Sequence, residues 1–175
     1  MRGMIVAAQP EAAETGAEIL RRGGNAIDAA IACAFSQGVV DPLMCGIGGF
    51  GSMQIFMPKG GIHAVLEFLA RAPLAAKADM WADRFAGQTR DGFAFLLSDH
   101  ANERGHLAAG TPGSIKGYAD ALARFGTMDL EDVMAPAIRQ ARTGFMIRPY
   151  VHYYWTIDQR ATGQLNTQDK LSLSD

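Results

Sequence analysis

The chain has 175 residues, 49% hydrophobic and 19% charged, which suits one globular domain with a substantial core and excludes a disordered polymer. Its 16 basic and 18 acidic residues leave a net charge of −2. The basic residues are scattered, so neither nucleic acid nor an anionic membrane is expected as a partner.

In chain order, residues 4–8 read as a short strand. Pro10 then opens a helix to about Arg22, with Ala12, Gly16, Ile19 and Leu20 on one face. Arg21 and Arg22 suit its negative C-terminal end, and Gly23 or Gly24 stops it. Asn25 is the natural N-cap of a second helix, residues 26 to about 36, which is apolar nearly all round. Its one charge, Asp28, falls at the third helical position, where a carboxylate can reach back to the cap, so its role is structural.

Val39-Val40-Asp41-Pro42 leads into the loop Gly46-Ile47-Gly48-Gly49-Phe50-Gly51. Residues 52–57 and 62–68 alternate in polarity and flank the turn Pro58-Lys59-Gly60-Gly61, which predicts a β-hairpin. Between 79 and 110 the pattern weakens. Asp79 is placed to cap a short helix through Phe85, the apolar run 93–97 fits either element type, and 99–105 is a loop. Thr111-Pro112 reads as an N-cap and first residue of a helix to about Phe125, closed by Gly126. Asp129 starts another helical stretch, and Pro136 suits the first turn of a following helix that ends at Gly144. The tail 151–175 turns polar and loses its pattern. This order gives an α+β fold or a layered α/β arrangement in a single domain, 1–175.

Several chemistries can be weighed on these residues. Gly46-x-Gly48-x-x-Gly51 formally matches the dinucleotide fingerprint, with Glu67 near its acidic position. That fingerprint needs a strand before the loop and a helix after it; here a helix precedes and a hairpin strand follows. The loop therefore reads as a tight turn where Gly48 and Gly49 pack closely against a neighbour, with backbone N–H groups that could shape a cleft. Cys33 and Cys45 form no metal-ligand pattern and read as reduced and buried. His63, His100, His106 and His152 have no metal spacing and read as surface groups. Ser114 lies outside any nucleophile elbow. Met53, Met57, Trp81, Tyr153, Tyr154 and Trp155 read as core or subunit-interface residues. No catalytic, metal or cofactor site is read from these residues alone.

An ordered set of motifs goes further. It comprises Thr15-Gly16-Ala17-Glu18-Ile19-Leu20-Arg21-Arg22-Gly23-Gly24-Asn25-Ala26-Ile27-Asp28-Ala29-Ala30, then Val39-Val40-Asp41-Pro42, then Gly46-Ile47-Gly48-Gly49-Phe50-Gly51. Arg71-Ala72-Pro73, Gly110-Thr111-Pro112-Gly113-Ser114, Phe125-Gly126-Thr127, Ala135-Pro136-Ala137-Ile138 and Gly144-Phe145 follow. From about residue 3 to 150 the chain resembles the N-terminal part of the γ-glutamyltranspeptidase large subunit. The resemblance implies an αββα sandwich of the N-terminal-nucleophile hydrolase type, of which this domain is the N-terminal portion. It also implies a self-cleaving proenzyme and a small subunit whose N-terminal threonine attacks γ-glutamyl amides such as glutathione.

Two departures qualify that expectation. No paired threonine of the nucleophile type is present, Thr167 after Asn166 being only superficially similar, so this chain alone is expected to be inactive. The family's substrate-carboxylate arginine lies in an Arg-Glu-x-Ala-Pro pattern; alignment on Ala72-Pro73 puts Leu69 in its place and Ala70 in place of the Glu. Arg71, two positions later, is then the candidate substrate-binding residue, since a guanidinium can clamp a carboxylate. An amidase or acylase with a different acid amide is the alternative activity, and a non-catalytic fragment the alternative role. No apolar run approaches the ~20 residues of a membrane span. The N-terminal run is too short for a signal peptide, which points to the cytoplasm, or to the periplasm for a trimmed precursor.

Overall fold

The computed structural model describes residues 3–103 and 105–157. Two helices open the fold, α1 (Pro10–Arg21) and α2 (Ala26–Val40). Gly23, at φ 98°, turns the chain between them, and Gly24 N–H donates back to Ile19 O at 3.0 Å. The capping box at α2 forms as the sequence predicts. Asn25 Oδ1 accepts from Ile27 N–H (2.7 Å) and Asp28 N–H (3.1 Å), and Asp28 Oδ2 accepts from Asn25 N–H (2.7 Å). Burial carries α2 four residues past the expected end, because Phe35, Ser36 and Val40 still face neighbours.

The hairpin is β1 (Gly51–Met57) and β2 (Ile62–Phe68), antiparallel, in a register running from Gly51 opposite Phe68 to Met57 opposite Ile62. Met53, Ile55, Met57, Ile62 and Leu66 turn inward onto the helices, while Phe56 and Val65 point outward and stay exposed. A second hairpin pairs β3 (Phe85–Gln88) with β4 (Phe95–Leu97), and Phe85 packs edge-on to Phe95 at 5.7 Å. Three more helices complete the described part: α3 (Ser114–Phe125), α4 (Leu130–Thr143) and α5 (Pro149–Thr156). The central helix α2 carries the core, its Ile27, Ile31 and Phe35 meeting Ile19 of α1, Leu122 of α3, Val133 of α4 and Ile55 of β1. This is the expected α+β class, one helical layer on one face of a hairpin. Among the described residues no helix is long and apolar enough to cross a membrane.

Four expectations need correction. Residues 4–8 form no strand, because they have no partner strand among the described residues. The segment lies extended over α1, with Ile5 against Gly16 and with Met4 and Val6 exposed. The predicted helix from Asp79 is replaced by successive turns with a single 3-10 turn at Ala82–Arg84. Thr111 and Pro112 do not start α3, because Thr111 pairs its backbone with Arg71. The two helices expected around Pro136 are one. Pro136 sits inside α4 at a cost of ~3 kcal/mol, offset by its own burial and that of Val133 and Ala137.

The buried polar groups join these elements. Asp28, fully buried, accepts from Thr127 N–H (2.9 Å), Thr127 Oγ1 (2.6 Å) and Met128 N–H (3.2 Å). The cap of α2 therefore also anchors the α3–α4 connection. Thr15, Ser36 and Gln140 hydrogen-bond in a chain between α1, α2 and α4. Each keeps a buried polar atom partnered, which offsets the cost of taking it out of water.

Candidate substrate site

The hairpin positions the one predicted site residue. The chain leaves β2 at Phe68 and reaches Arg71 through Leu69 and Ala70. Arg71 N–H donates to Thr111 O at 3.3 Å, and Thr111 N–H donates to Arg71 O at 2.8 Å. Two residues on, Gly113 and Ser114 N–H both donate to Gly49 O, at 3.0 and 3.1 Å. A Cβ on Gly113 would lie 2.1 Å from Phe68 O, so only glycine permits the start of α3 to lie this close to β2. Phe68 in turn packs edge-on to Tyr118 at 5.6 Å, and Tyr118 edge-on to Phe35 at 5.3 Å. Arg71 thus stands on backbone tied through α3 to the central helix.

The glycine loop takes its place in the same junction. Of Gly48 and Gly49, only Gly49 packs against a neighbour, through its carbonyl, and Gly51 lies tight against the Phe68 ring; a side chain at Gly46 or Gly48 would meet nothing. Gly49 O takes the first two N–H groups at the start of α3, those of Gly113 and Ser114. The loop runs into β1 of an antiparallel hairpin, and Glu67 lies on β2 opposite Ser52. This is not the strand–loop–helix setting a dinucleotide requires.

Beside Arg71 opens a cavity of about 1240 Å³, bounded by residues 70–78, by the 80–82 turn, by the second hairpin and by residues 106–110. Its walls are mainly alanine, Phe50, Trp81, Phe85, Phe95 and Leu107. Lys77 and His106 also line it, and among the described residues no aspartate or glutamate does. Among the described residues, no carboxylate lies within ion-pair distance of Arg71 or Lys77. Trp81 Nε1 and Asn102 Oδ1, both in lining residues, are buried without a hydrogen-bond partner among the described residues. His106 is exposed and Trp81 half-buried, in keeping with a surface and a core or interface reading. Both border this cavity, which nothing in the local pattern of residues 79–110 signals.

The other candidates fall elsewhere. Leu69, where the family arginine is expected, is 52% exposed. Cys33 and Cys45 are free and half-buried, and burial pushes both thiols above their usual 9.0. His63 contacts Gln54 and stacks edge-on to Phe56, and His100 contacts Glu103. Among the described residues no group of His, Cys, Asp and Glu could hold a metal ion. Ser114 is the buried first residue of α3. Thr167 lies outside the described residues.

A helix pair behind an antiparallel hairpin, with a basic-edged cavity at the hairpin's exit, is an N-terminal-nucleophile hydrolase arrangement. Residues 12–172 match the family model described as gamma-glutamyltranspeptidase, and the chain belongs to that family. It is 44% identical over 153 residues to the acylase ACY 1 proenzyme of Pseudomonas sp. (strain V22), covering 86% of this chain and 26% of that protein. It is 38% identical over 145 residues to the glutathione hydrolase proenzyme of Bacillus subtilis (strain 168), covering 83% and 23% respectively. The fold is similar to the crystal structure of Helicobacter pylori gamma-glutamyltranspeptidase, with TM-score 0.74 at 35% identity, covering 85% of this chain and 40% of that one. The chain spans about a quarter of the length of these curated relatives.

Proposed function

We propose that this chain supplies the acyl-binding side of an active site for amide cleavage, with Arg71 holding a carboxylate on the acyl group. The nucleophile in this reading is an N-terminal threonine on a second segment of the same precursor, forming a small subunit. Its hydroxyl adds to the amide carbonyl while its own α-amine takes the proton. The C–N bond breaks, the proton passes to the leaving amine, and an ester remains. Water or an acceptor amine then attacks the ester and regenerates the threonine. The observation that carries this reading is Arg71 itself. It lines the cavity, on backbone fixed by the Thr111 bridge, with no carboxylate partner among the described residues.

Family membership supports a γ-glutamyl amide such as glutathione as the donor. A second donor class has its own support. Leu69 stands where the family arginine is expected, which favours a different acid amide, the chemistry of an amidase or acylase.

The test uses the processed enzyme from the whole gene, with γ-glutamyl-4-nitroanilide and glutaryl-4-nitroanilide as donors. Arg71→Ala is expected to lower kcat/KM about 100-fold, mostly through KM, with Arg71→Lys intermediate. A kcat/KM within twofold of wild type would end the clamp reading, and the preferred donor decides the acyl class. Turnover of neither donor, with no N-terminal threonine on any co-purifying chain, would leave a non-catalytic fragment.

A further inference from the structure

We infer that Asp41 is a docking point for a basic side chain, arginine or lysine, supplied by the part of the precursor outside this chain. The inference takes from the reading above only that such a part exists. Asp41 closes α2 as its C-cap residue and is 3% exposed. Gln9 Nε2 donates to its Oδ2 at 3.1 Å, and Gln37 Nε2 donates to the same oxygen at 3.5 Å. Among the described residues, Asp41 Oδ1 accepts no hydrogen bond, and no basic group lies within ion-pair distance of the carboxylate. Asp28, the other fully buried carboxylate described, differs: its two oxygens share four donors. A carboxylate taken out of water needs a counter-charge or a full set of donors. Asp41 has neither among the described residues. It also stands at the negative end of the α2 dipole, and the last turn of α2 holds no basic residue.

The surroundings select the kind of cation. Cys45 N–H donates to Asp41 O at 3.1 Å, yet among the described residues no group of His, Cys, Asp and Glu could hold a metal ion. Asp41 borders neither the cavity beside Arg71 nor the smaller cleft between α1 and α4, which argues against a free small molecule. The tip of a side chain carried in by a packed segment fits better. The rim suits such a contact. Met44, whose N–H donates to Asp41 O at 3.2 Å, is 57% exposed, and Tyr150 is 54% exposed. The Tyr150 phenol is pushed up by its hydrogen bond to Tyr154 and, more weakly, by the Asp41 charge, so that ring faces the same field. Exposed methionine and tyrosine around one buried charge match the core of a protein interface, and a tyrosine ring also attracts a cation. The chain spans about a quarter of the length of its curated relatives, which leaves ample polypeptide to supply the partner.

The experiment uses the processed protein from the whole gene. Its crystal structure should place an arginine or lysine nitrogen from outside this chain within about 4 Å of Asp41 Oδ1. Asp41→Asn, which removes the charge and keeps the shape, should speed unfolding in urea about 30-fold or more. Replacing the partner cation by methionine should do the same. The double variant should fall well short of the product of the two effects, because neither charge is then left alone. Asp28→Asn combined with the same partner variant should give the full product. A structure in which Asp41 Oδ1 meets only water or backbone N–H overturns the assignment. So does a metal ion there, a cation supplied by this chain itself, strict multiplication in the Asp41 cycle, or a gene that encodes nothing beyond this chain. The wild-type structure decides the matter even where the variants fail to fold. The structural and cycle outcomes leave the effect of Arg71→Ala untouched, and a failed Arg71 clamp leaves the neighbour of Asp41 to be seen in the same crystal.

Discussion

Replacing Asp28 by asparagine tests the claim that one buried carboxylate holds two distant parts of the fold together. Asp28 Oδ1 accepts from Thr127 and Met128 N–H, and Oδ2 accepts from Asn25 N–H and the Thr127 hydroxyl. An asparagine can keep its carbonyl oxygen toward 127 and 128. Its amide then faces Asn25 N–H, donor against donor, in a site with no exposure. The stranded donor costs about 1–3 kcal/mol, and the lost charge at the positive end of α2 costs about 0.3–1 kcal/mol more. The surroundings cannot relax outward cheaply. A Cβ on Gly126 would already stand 2.8 Å from Asp28 Oδ1, so the turn is packed against the carboxylate. The expected destabilisation is about 1–4 kcal/mol, a fall in Tm of roughly 3–16 °C for a chain this long. Urea unfolding, followed by tryptophan fluorescence and circular dichroism where dilution no longer moves the midpoint, measures it. Thr127→Val and the double variant complete a cycle in which a coupling of at least about 0.5 kcal/mol is expected. A D28N midpoint within about 0.5 kcal/mol of wild type would refute the reasoning, as would strict additivity with Thr127→Val.

Further outcomes follow from the same structure. Gly113→Ala puts a methyl 2.1 Å from Phe68 O and should destabilise by about 1–3 kcal/mol. Gly48→Ala meets nothing and should stay within about 0.5 kcal/mol in the same unfolding assay. Burial raises the Cys33 and Cys45 thiols above 9.0, so the native state keeps its thiol protons at a pH where the unfolded chain has lost them. The unfolded state then binds fewer protons, and stability should fall as pH rises from about 9 upward. Iodoacetamide at pH 8 should alkylate both more slowly in the native protein than in urea, and equal rates would contradict the burial effect.

What could be read in the sequence depended on how far apart the partners lie. The Asn25–Asp28 capping box spans three residues and was legible; the Asp28–Thr127 bonds span ninety-nine and were not. The first hairpin was legible because alternation and a proline–glycine turn are local signals. Thr111 shows the opposite case. Its local pattern with Pro112 favours a helix cap, but a backbone bridge to Arg71, forty residues away in sequence, takes the N–H and C=O groups first. Pro136 misled for a related reason, since burial against the other helices outweighs a local break. The motif around Arg71 singles it out as a candidate. The cavity beside it was not legible, because its walls come from segments whose spacing in sequence carries no period.

The Arg71–Thr111 bridge also ties the two ends of a long excursion. Everything between them, including the second hairpin and most of the cavity wall, leaves and rejoins the helical body at one clasp. Such a segment can lengthen, shorten or be exchanged without disturbing α2 and its neighbours, provided the clasp and Gly113 survive. It is therefore a natural place for related chains to differ in length and sequence while the helical body stays the same.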